Sequence, residues 1–509
     1  MLLKKYADLY LPAVLPGLLL IFCFPGFGYY PLAWIVLTPF LVSLMDKSPQ
    51  KAFLSGMLLG IPYFFGTTYW IYHSVTYYGH IPFMASLALV FILSLYLSLY
   101  TGFFGLLFSL KIKNSALPAM LLAPVFWVTI EFIRSYALTG FPWSSIGYSQ
   151  YRFLTVIQVS DITGIYGVSF LVLAVNGALA DIFILRRRRS SMPLFASYHT
   201  VLGYIVLSAL FISAFSYGYW RIHQNRQGND LRVSIVQGNI EQDKKWDAAY
   251  QSEVINTYKE LTLKAFVHSP SLIIWPETSL PFYFGTDTEL TEDLLSFKRQ
   301  IGAYLLLGTV IVKELPSANS PARLSNSAVL LDNDGKVTYI YDKIHLVPFG
   351  EYVPLRRVLF FVDKLVAGIG DYTPGETLLK ANTPYGSFAT FICYEIIFPG
   401  LVRKFYSKDG DFIVTITNDA WFGKTAGPEQ HFSMAVFRAI ENRKPVIRAA
   451  NTGISGFIDS NGKIFLKTAF FERTTETAYI KTDTSRSFYS RFGDIFSYVC
   501  IVLTLLLIL

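Results

Sequence analysis

Long apolar runs separated by short polar turns dominate the first 220 residues of the chain and return at its C-terminal end. A helix that crosses the hydrocarbon core of a bilayer needs about 20 mostly apolar residues. We therefore predict eight membrane-spanning helices, at residues 9–24, 30–45, 53–72, 82–110, 117–133, 163–185, 201–219 and 495–509. The first run follows Lys4 and Lys5 as in a signal peptide, but no small-residue cleavage site is evident, so we interpret it as an anchor.

Residues 221–491 have a different pattern, in which short apolar runs alternate with polar turns and helical stretches. Such alternation, with hairpin turns at Asn-Asp-Gly (333–335) and Asn-Gly (461–462), predicts an α/β domain whose helices cover a sheet. Strands are predicted at 232–236, 272–275, 304–312, 327–331, 336–341, 387–392, 412–417, 456–458, 463–466 and 478–481. Helices are predicted at 246–267, 288–301, 396–405 and 429–442.

The two patterns divide the chain into three parts. We predict a membrane domain with seven helices at 1–220, an extracytoplasmic α/β catalytic domain at 221–491 and a C-terminal membrane helix at 492–509. Composition agrees with a membrane protein: only 15% of residues are charged and the mean hydropathy is +0.41, whereas average soluble domains have about 25% charged residues.

The net charge of +8 would also suit a nucleic-acid-binding protein, but much of it lies in short runs between apolar segments. We interpret these runs as charge that orients the protein in the membrane, and we expect no nucleic-acid partner.

The basic runs fall on one side of the membrane if all eight spans are real, and the positive-inside rule makes that side the cytoplasm. They are Lys4 with Lys5, Lys47 with Lys51, Lys111 with Lys113, and arginines 186–189. The α/β domain then faces outward, which in a bacterium means the periplasmic side of the inner membrane.

Three cysteines are too few for a disulfide framework, and Cys23 and Cys500 lie inside apolar runs. Cys393 stands alone between a predicted strand and a predicted short helix. The N-terminus of a helix lowers the pKa of a thiol and favours the reactive thiolate. A buried, inert structural cysteine is the alternative interpretation, because free cysteine is among the most buried residue types.

Two further reactive side chains follow predicted strands, Glu277 after Trp-Pro and Lys343 after a hairpin strand. Loops at strand ends carry catalytic groups in α/β folds, although a solvated acid and a surface lysine would look the same. Taken together, the order WPE…DK.HLVPFGEY.P…CYE resembles the nitrilase superfamily, whose members use a Glu-Lys-Cys triad in an α-β-β-α sandwich. The resemblance covers about 231–482, and the eight-span layout resembles one branch of that superfamily, the apolipoprotein N-acyltransferase family.

The resemblance implies a role for each member of the triad. Cys393 would be the nucleophile, Glu277 the general acid and base, and Lys343 the donor to the oxyanion, helped by a backbone N–H near Tyr394. Glu351 matches the second glutamate of the superfamily and would hold Lys343 or the general acid in place. An ordinary loop salt bridge is the alternative for Glu351.

The resemblance also marks supporting positions. Tyr394 and Glu395 match residues that the family places around the nucleophile, and Trp246 lies in a family-like block, where it would also suit a core position. Trp421 and Phe422 lie at the tip of a polar loop, 418–431, which is a candidate lid.

Segment 355–369 is apolar with interspersed basic residues, which suits either a lipid interface or a packed helix.

His345 and His431 suggest a Cys-His pair as an alternative to the triad. A lone histidine is more often structural, however, and no Asn or Asp partner motif accompanies either of them. No metal-ligand spacing and no glycine-rich phosphate loop are present, so we expect neither a metal nor a cofactor.

The resemblance therefore implies transfer of an acyl chain from a phospholipid donor, through a thioester on Cys393, to the α-amine of diacylglyceryl-cysteine at the N-terminus of an apolipoprotein acceptor. One alternative is a membrane-tethered nitrilase-type amidase or hydrolase, which would need only one anchor. The other is a non-enzymatic transporter or scaffold, although the few charged residues within the spans argue against an ion pathway.

Overall fold

The computed structural model describes residues 2–113, 117–188, 198–224, 228–316, 322–353 and 372–509. The predicted interfacial segment 355–369 and Arg189 of the fourth basic run lie outside these residues. The described N-terminal part is helical and the part from 230 to 481 is an α/β domain, as predicted.

Ten α-helices form the described N-terminal part. They are α1 (Leu2–Cys23), α2 (Thr38–Leu44), α3 (Pro49–Thr68), α4 (Ile71–His73), α5 (Phe83–Ile112), α6 (Ala119–Tyr136), α7 (Leu154–Ile157), α8 (Ser160–Thr163), α9 (Ile165–Arg188) and α10 (Tyr198–His223). In the described residues, α5, α6, α9 and α10 are long and apolar enough to cross a membrane by length and composition. The count of eight spans therefore stays a prediction.

The predicted span at 30–45 is not one continuous helix. It consists of a 3-10 helix (Tyr30–Trp34) followed by α2, and each has a proline in its first turn. Proline has no backbone N–H to extend a helix, so Pro31 and Pro39 begin two short helices instead. By contrast, α5 is 30 residues long, or about 45 Å at 1.5 Å per residue, which exceeds the thickness of the hydrocarbon core.

Two six-stranded sheets form the α/β domain. The strands are β1 (Asp230–Gln237), β2 (Leu272–Ile274), β3 (Tyr304–Glu314), β4 (Arg323–Leu331), β5 (Val337–Asp342), β6 (Ala381–Thr383), β7 (Gly386–Ile392), β8 (Phe412–Thr417), β9 (Val446–Ala450), β10 (Gly456–Ile458), β11 (Ile464–Lys467) and β12 (Thr474–Lys481). The sheet orders are β12-β1-β2-β3-β4-β5 and β11-β10-β9-β8-β7-β6. Strands β1, β2 and β3 are parallel to one another in the first sheet, and β7, β8 and β9 are parallel to one another in the second. All other neighbouring strands pair antiparallel.

Helices cover the outer face of each sheet. They are α11 (Gln251–Phe266), α12 (Thr288–Arg299), α13 (Pro399–Tyr406) and α14 (Gly427–Asn442). Successive strand residues point to opposite faces. In β2, Ile273 joins the core beneath α11 and α12, whereas Leu272 and Ile274 join the core shared with the second sheet. The domain is therefore the α-β-β-α sandwich that the resemblance predicted.

Helix α14 lies between the second sheet and the helical N-terminal part. All its residues except Glu429 are buried. Trp143 Nε1 donates to Gln430 Oε1 at 2.6 Å, and the Ile165 N–H donates to Glu441 Oε1 at 3.0 Å. The α/β domain is thus held against the apolar helices by its own outer helix α14.

The ten predicted strands and four predicted helices of this domain are all present; β8 and β10 have the predicted bounds, and the other elements differ at one or both ends. The helix predicted from 246 begins at Gln251, after a 3-10 turn at Ala248–Tyr250. Strands β6 and β9 were not predicted, because β6 has only three residues and β9 carries a buried arginine, Arg448. The chain ends in α15 (Phe488–Phe492) and α16 (Ile495–Ile508).

Candidate active site

The three side chains predicted to form the triad meet between the two sheets. Glu277 follows β2, Lys343 follows β5 and Cys393 follows β7. All three are buried, and the Lys343 Nζ lies 3.5 Å from Glu277 Oε1. The thiol of Cys393 lies within electrostatic range of both charged groups. A carboxylate, an ammonium and a thiol from distant parts of the chain are therefore buried together, as the predicted triad requires.

Hydrogen bonds fix the Glu277 carboxylate from both sides. Asn326 Nδ2 donates to Oε1 at 2.8 Å, and the Asn418 backbone N–H donates to Oε2 at 2.9 Å. Both carboxylate oxygens therefore have a hydrogen-bond donor, which holds the side chain in one orientation.

Glu351 is the closest anionic partner of Lys343, at 2.9 Å from Nζ to Oε1. The same oxygen accepts from Asn326 Nδ2 at 3.0 Å, and Oε2 accepts from the Val347 N–H at 2.8 Å. Burial lowers the pKa of Lys343, but the carboxylates of Glu351 and Glu277 outweigh it and raise the pKa well above its usual value. Lys343 is therefore a permanent cation, and the contacts of Glu351 support a positioning role over an ordinary surface salt bridge.

Cys393 has a left-handed backbone, with φ of 52°, at the corner between β7 and a 3-10 helix (Cys393–Ile397). Non-glycine residues adopt this conformation at a cost of about 1–3 kcal/mol, and such strain is concentrated at functional sites. Our expectation of a lowered thiol pKa is not supported, because burial and the Glu277 carboxylate raise the pKa of Cys393 despite the Lys343 charge. The α-helix begins only at Pro399, so the thiol does not lie at its N-terminus. A base is therefore needed to generate the thiolate.

Glu395 stabilises the turn after the nucleophile. Its Oε2 accepts from the Ile392 N–H at 2.8 Å, and its Oε1 accepts from the Tyr341 hydroxyl at 2.8 Å and from the Ile344 N–H at 2.7 Å. Burial raises the pKa of Glu395 to about 7, against the opposing effect of these donors. The side chain joins β5 and β7, the strands that precede Lys343 and Cys393.

Neither histidine is arranged as a base for the thiol. His431 Nε2 lies 3.1 Å from the backbone carbonyl oxygen of Cys393, so this nitrogen donates and carries a proton. Burial and Arg448 lower the pKa of His431, and its Nδ1 accepts from Arg448 Nη2 at 3.0 Å. The ring of His345 packs 3.8 Å from the ring of Phe398 between centroids, and burial with the Lys343 charge lowers its pKa to about 4.

Two aromatic residues named among the supporting positions, Trp246 and Tyr394, are at least partly exposed. Trp246 is 41% exposed and its ring lies 5.4 Å from that of Tyr283, so the alternative of a core position is wrong. Tyr394 is half-buried and packs its ring 5.0 Å from Phe398. Both side chains are therefore available for contact with a bound molecule.

The candidate lid is anchored on the helical N-terminal part. The Trp421 carbonyl oxygen accepts from Ser74 Oγ at 2.6 Å. Ser74 begins a π-helical turn (Ser74–Tyr78) that follows α4, and the Trp421 ring lies 4.5 Å from the ring of Tyr78. Phe422 is buried, with its ring 4.6 Å from that of Trp70. Both rings are packed, and a moving lid stays a prediction.

Five residues in and around the site were not predicted as site residues. Asn326 and Asn418 donate to Glu277, Asp419 pairs with Arg448 at 2.9 Å, and Lys245 donates to the Glu277 carbonyl at 2.8 Å. Asn326 lies inside a strand and Lys245 inside a polar turn, where the sequence gives no periodic signal. Among the described residues, no group of three or more His, Cys, Asp or Glu side chains is arranged to hold a metal ion.

Comparisons with known proteins agree with this architecture. The family model described as apolipoprotein N-acyltransferase N-terminal domain matches residues 16–178, and the carbon-nitrogen hydrolase model matches residues 232–489. The fold and the buried cluster thus define a membrane-associated enzyme of the carbon-nitrogen hydrolase class.

Relatives over the full length narrow this class. An apolipoprotein N-acyltransferase from Geobacter metallireducens is 40% identical over 493 residues, which cover 97% of this chain and 93% of the relative. One from Pasteurella multocida is 32% identical over 99% of this chain and 96% of the relative. The chain belongs to the apolipoprotein N-acyltransferase family. Among solved structures, the C. elegans NitFhit protein is similar at 18% identity, with a TM-score of 0.39, over 55% of this chain and 65% of that chain.

Proposed function

We propose that Glu277, Lys343 and Cys393 transfer an acyl chain from a phospholipid to the α-amine of diacylglyceryl-cysteine at the N-terminus of an apolipoprotein. The enzyme class follows from the family. The assignment of residues is supported by one observation above all: Glu277, with a donor on each oxygen, lies 3.5 Å from Lys343 in the buried volume that holds Cys393.

In the first step, Glu277 takes the proton of the Cys393 thiol and the thiolate attacks the ester carbonyl carbon of the phospholipid. Lys343 and the backbone N–H of Tyr394 stabilise the resulting oxyanion. The tetrahedral intermediate collapses to a thioester, and the lysophospholipid leaves as an alcohol after it takes the proton from Glu277.

In the second step, the free α-amine of the acceptor attacks the thioester carbonyl carbon. Glu277 takes a proton from the amine, the C–S bond breaks, and the thiolate of Cys393 leaves and is protonated again. The product is an amide on a triacylated lipoprotein. Because the raised pKa of Cys393 makes the free thiolate costly, the proton transfers through Glu277 are required in both steps.

We also keep the predicted division and location as proposals: a membrane domain at 1–220, a catalytic domain at 221–491 on the periplasmic side of the bacterial inner membrane, and a C-terminal membrane helix at 492–509. A lipid ester reaches Cys393 only if the thiol lies near the bilayer. The contacts of α14 and of Trp421 with the apolar helices support that position.

Mass spectrometry of the full-length protein incubated with phospholipid in detergent tests the function. We expect an acyl adduct that hydroxylamine removes, on the peptide that contains Cys393 and not on those that contain Cys23 or Cys500. These two free cysteines are also buried, so they are matched internal controls. Cys393→Ala should carry no adduct at all.

The same experiment separates the alternatives. Release of ammonia from amide substrates without an acyl adduct would support a nitrilase-type hydrolase, and neither product would support a scaffold. Addition of a synthetic diacylglyceryl-cysteinyl peptide should remove the adduct and yield an N-acylated peptide. A stable adduct that the amine does not discharge would contradict the second step.

A further inference from the structure

A second buried lysine, Lys245, lies against the backbone of the proposed general base. It belongs to the turn 242–246 between β1 and α11, and its side chain is fully buried. Its Nζ donates to the carbonyl oxygen of Glu277 at 2.8 Å and to Thr278 Oγ1 at 2.9 Å. No ion pair between the described side chains includes Lys245.

A buried ammonium with only neutral partners is costly, because lysine is almost never fully buried unless it is paired. Burial lowers the pKa of Lys245 to about 8, while Glu277 and Cys393 act in the opposite direction. The side chain is therefore still mostly protonated at neutral pH. Its charge acts over a longer distance, on the anionic groups of the active site.

The charges of the site show what this ammonium does. Glu277, Glu351 and Lys343 together leave an excess of one negative charge when Cys393 is a thiol. The excess persists when Glu277 takes the thiol proton, because the thiolate replaces the carboxylate. An uncompensated negative charge opposes ionisation of a neighbouring acid. Lys245 balances the site in both states.

The turn also holds Glu277 in place. Thr278, the next residue, has a left-handed backbone with φ of 44°, which a hydrogen bond to the preceding carbonyl stabilises. In addition, Gln242 Oε1 accepts from Asn418 Nδ2 at 2.6 Å, and the Asn418 N–H binds the Glu277 carboxylate. The 242–246 turn thus contacts the backbone of Glu277 directly, through Lys245, and its carboxylate indirectly, through Asn418.

We propose that Lys245 is a positioning residue of the acyl-transfer site, which fixes the Glu277 turn and whose charge stabilises the thiolate of Cys393. This inference rests on the proposed roles of Glu277 and Cys393. Trp246 follows directly in the sequence and is exposed, so the turn that carries Lys245 also reaches the protein surface.

Lys245→Gln is the main test, because glutamine keeps a donor for the Glu277 carbonyl and removes the charge. Lys245→Met removes both. Lys298 offers a matched control, since it is also fully buried and donates to the carbonyl oxygens of Ile301 at 3.0 Å and Asn333 at 3.4 Å, away from the site. Lys298→Gln therefore reports the effect of losing a buried lysine as such.

The measurement is the rate of alkylation of Cys393 by iodoacetamide from pH 6 to pH 10. It uses the full-length protein in detergent, with alkylation quantified on the peptide that contains Cys393. The charged groups that face this thiol are Glu277, Lys343 and Asp419, besides Lys245, and they are unchanged in all variants. A melting curve for each variant shows that it is folded.

The raised pKa of Cys393 keeps the thiolate a minor species over this pH range, so the alkylation rate is proportional to the thiolate fraction. We expect this rate to fall by at least about tenfold at pH 6–7, where Lys245 is protonated, in Lys245→Gln and in Lys245→Met, and to stay within about twofold of wild type in Lys298→Gln. An unchanged rate in folded Lys245→Gln, or the same loss in Lys298→Gln, would overturn the proposal. If Lys245→Met does not fold, Lys245→Gln still decides. Alkylation of Cys393 does not require acyl transfer, so the two hypotheses fail in different experiments. Absence of a thioester in the wild type would contradict the proposed function, whereas unchanged alkylation in Lys245→Gln would contradict this inference.

Discussion

The Nε2 of His431 lies 3.1 Å from the backbone carbonyl oxygen of Cys393 and donates its proton to it. This hydrogen bond acts on the strained, left-handed nucleophile residue and not on its thiol. Arg448 Nη2 in turn donates to Nδ1 of this ring at 3.0 Å and to the Asp419 carboxylate at 2.9 Å, so the guanidinium holds the ring in place. In the proposed mechanism the histidine is therefore a positioning residue for Cys393 and not a base for its thiol.

Replacement of His431 distinguishes positioning from base catalysis. Glutamine places its amide nitrogen near the position of Nε2 and keeps the donor, whereas alanine removes it. We expect single-turnover formation of the acyl-enzyme to stay within about fivefold in His431→Gln and to fall about 10–100-fold in His431→Ala, because one buried hydrogen bond is worth about 1–3 kcal/mol. Equal and near-complete loss in both variants would instead indicate a general base.

The Asp419 carboxylate makes stability depend on pH in the acid range. Burial would raise its pKa, but the Arg448 guanidinium outweighs burial, and the pKa is lowered from 3.8 to about 2. The stabilising contribution is present above pH 3.8, the ordinary value, and is lost as the pH falls toward 2. The shift corresponds to about 2 kcal/mol.

We therefore expect wild type to melt at a higher temperature than Asp419→Asn from about pH 4 upward, in detergent, and the difference to shrink as the pH falls from about 4 to about 2. The asparagine side chain of the variant cannot titrate, so the variant itself supplies the baseline. A difference between the two melting temperatures that is constant from pH 2.5 to pH 6 would contradict the assigned role of this carboxylate.

Asn326 bridges two carboxylates with one amide nitrogen, 2.8 Å from Glu277 and 3.0 Å from Glu351. Asn326→Asp preserves the shape of the side chain but adds a third carboxylate, so we expect a larger loss of acyl-enzyme formation than in Asn326→Ala at pH 7.5. Protonation of one carboxyl relieves the repulsion. The rate of Asn326→Asp, relative to wild type, should therefore rise from pH 7.5 to pH 6, whereas that of Asn326→Ala should not.

The membrane orientation is tested by introducing single cysteines and measuring their labelling by a membrane-impermeant thiol reagent in intact spheroplasts. The three native cysteines are buried, which keeps the background low. Labels introduced near Lys113 and Arg188 should be shielded, and one near the exposed Asn333 should react. Labelling on the opposite sides would reject the periplasmic position of the catalytic domain.

Local patterns predicted an α/β domain with reactive residues at strand ends, whereas the two-sheet sandwich and the triad were implied by the resemblance to the nitrilase superfamily. Apolar strands that end in Glu277, Lys343 and Cys393 are visible as runs with a reactive residue at the end. The residues that contact the triad and its neighbours were not predictable. Asn326 and Arg448 lie inside strands, and only the fold brings them near their partners Glu277 and Asp419. The thiol pKa was predicted in the wrong direction for the same reason: burial and Glu277 are tertiary effects, whereas the helix terminus is a local one.

Lys343→Arg tests the oxyanion role. The lysine is buried, bound to Glu351 at 2.9 Å, and Nζ retains protons to donate to a bound substrate. Arginine keeps the charge but replaces a point donor on a flexible stem with a wide planar group. Loss of one oxyanion donor typically costs about 3–4 kcal/mol, or roughly 10²–10³ in rate. We expect losses of this size in single-turnover acyl transfer, in both acylation and discharge of the thioester, for Lys343→Arg and Lys343→Ala.

The controls separate chemistry from folding. Lys343→Ala leaves Glu277 and Glu351 without their common cation, so we expect its melting temperature to fall, whereas Lys343→Arg keeps the charge and should melt closer to wild type. Lys336→Arg is the matched substitution at an exposed lysine just before β5, and it should leave turnover within about twofold, because surface substitutions rarely change stability by more than ~0.5 kcal/mol. A folded Lys343→Arg variant that transfers acyl chains at the rate of Lys336→Arg would show that the ammonium contributes only its charge, and the oxyanion role would have to pass to the backbone N–H of Tyr394 alone.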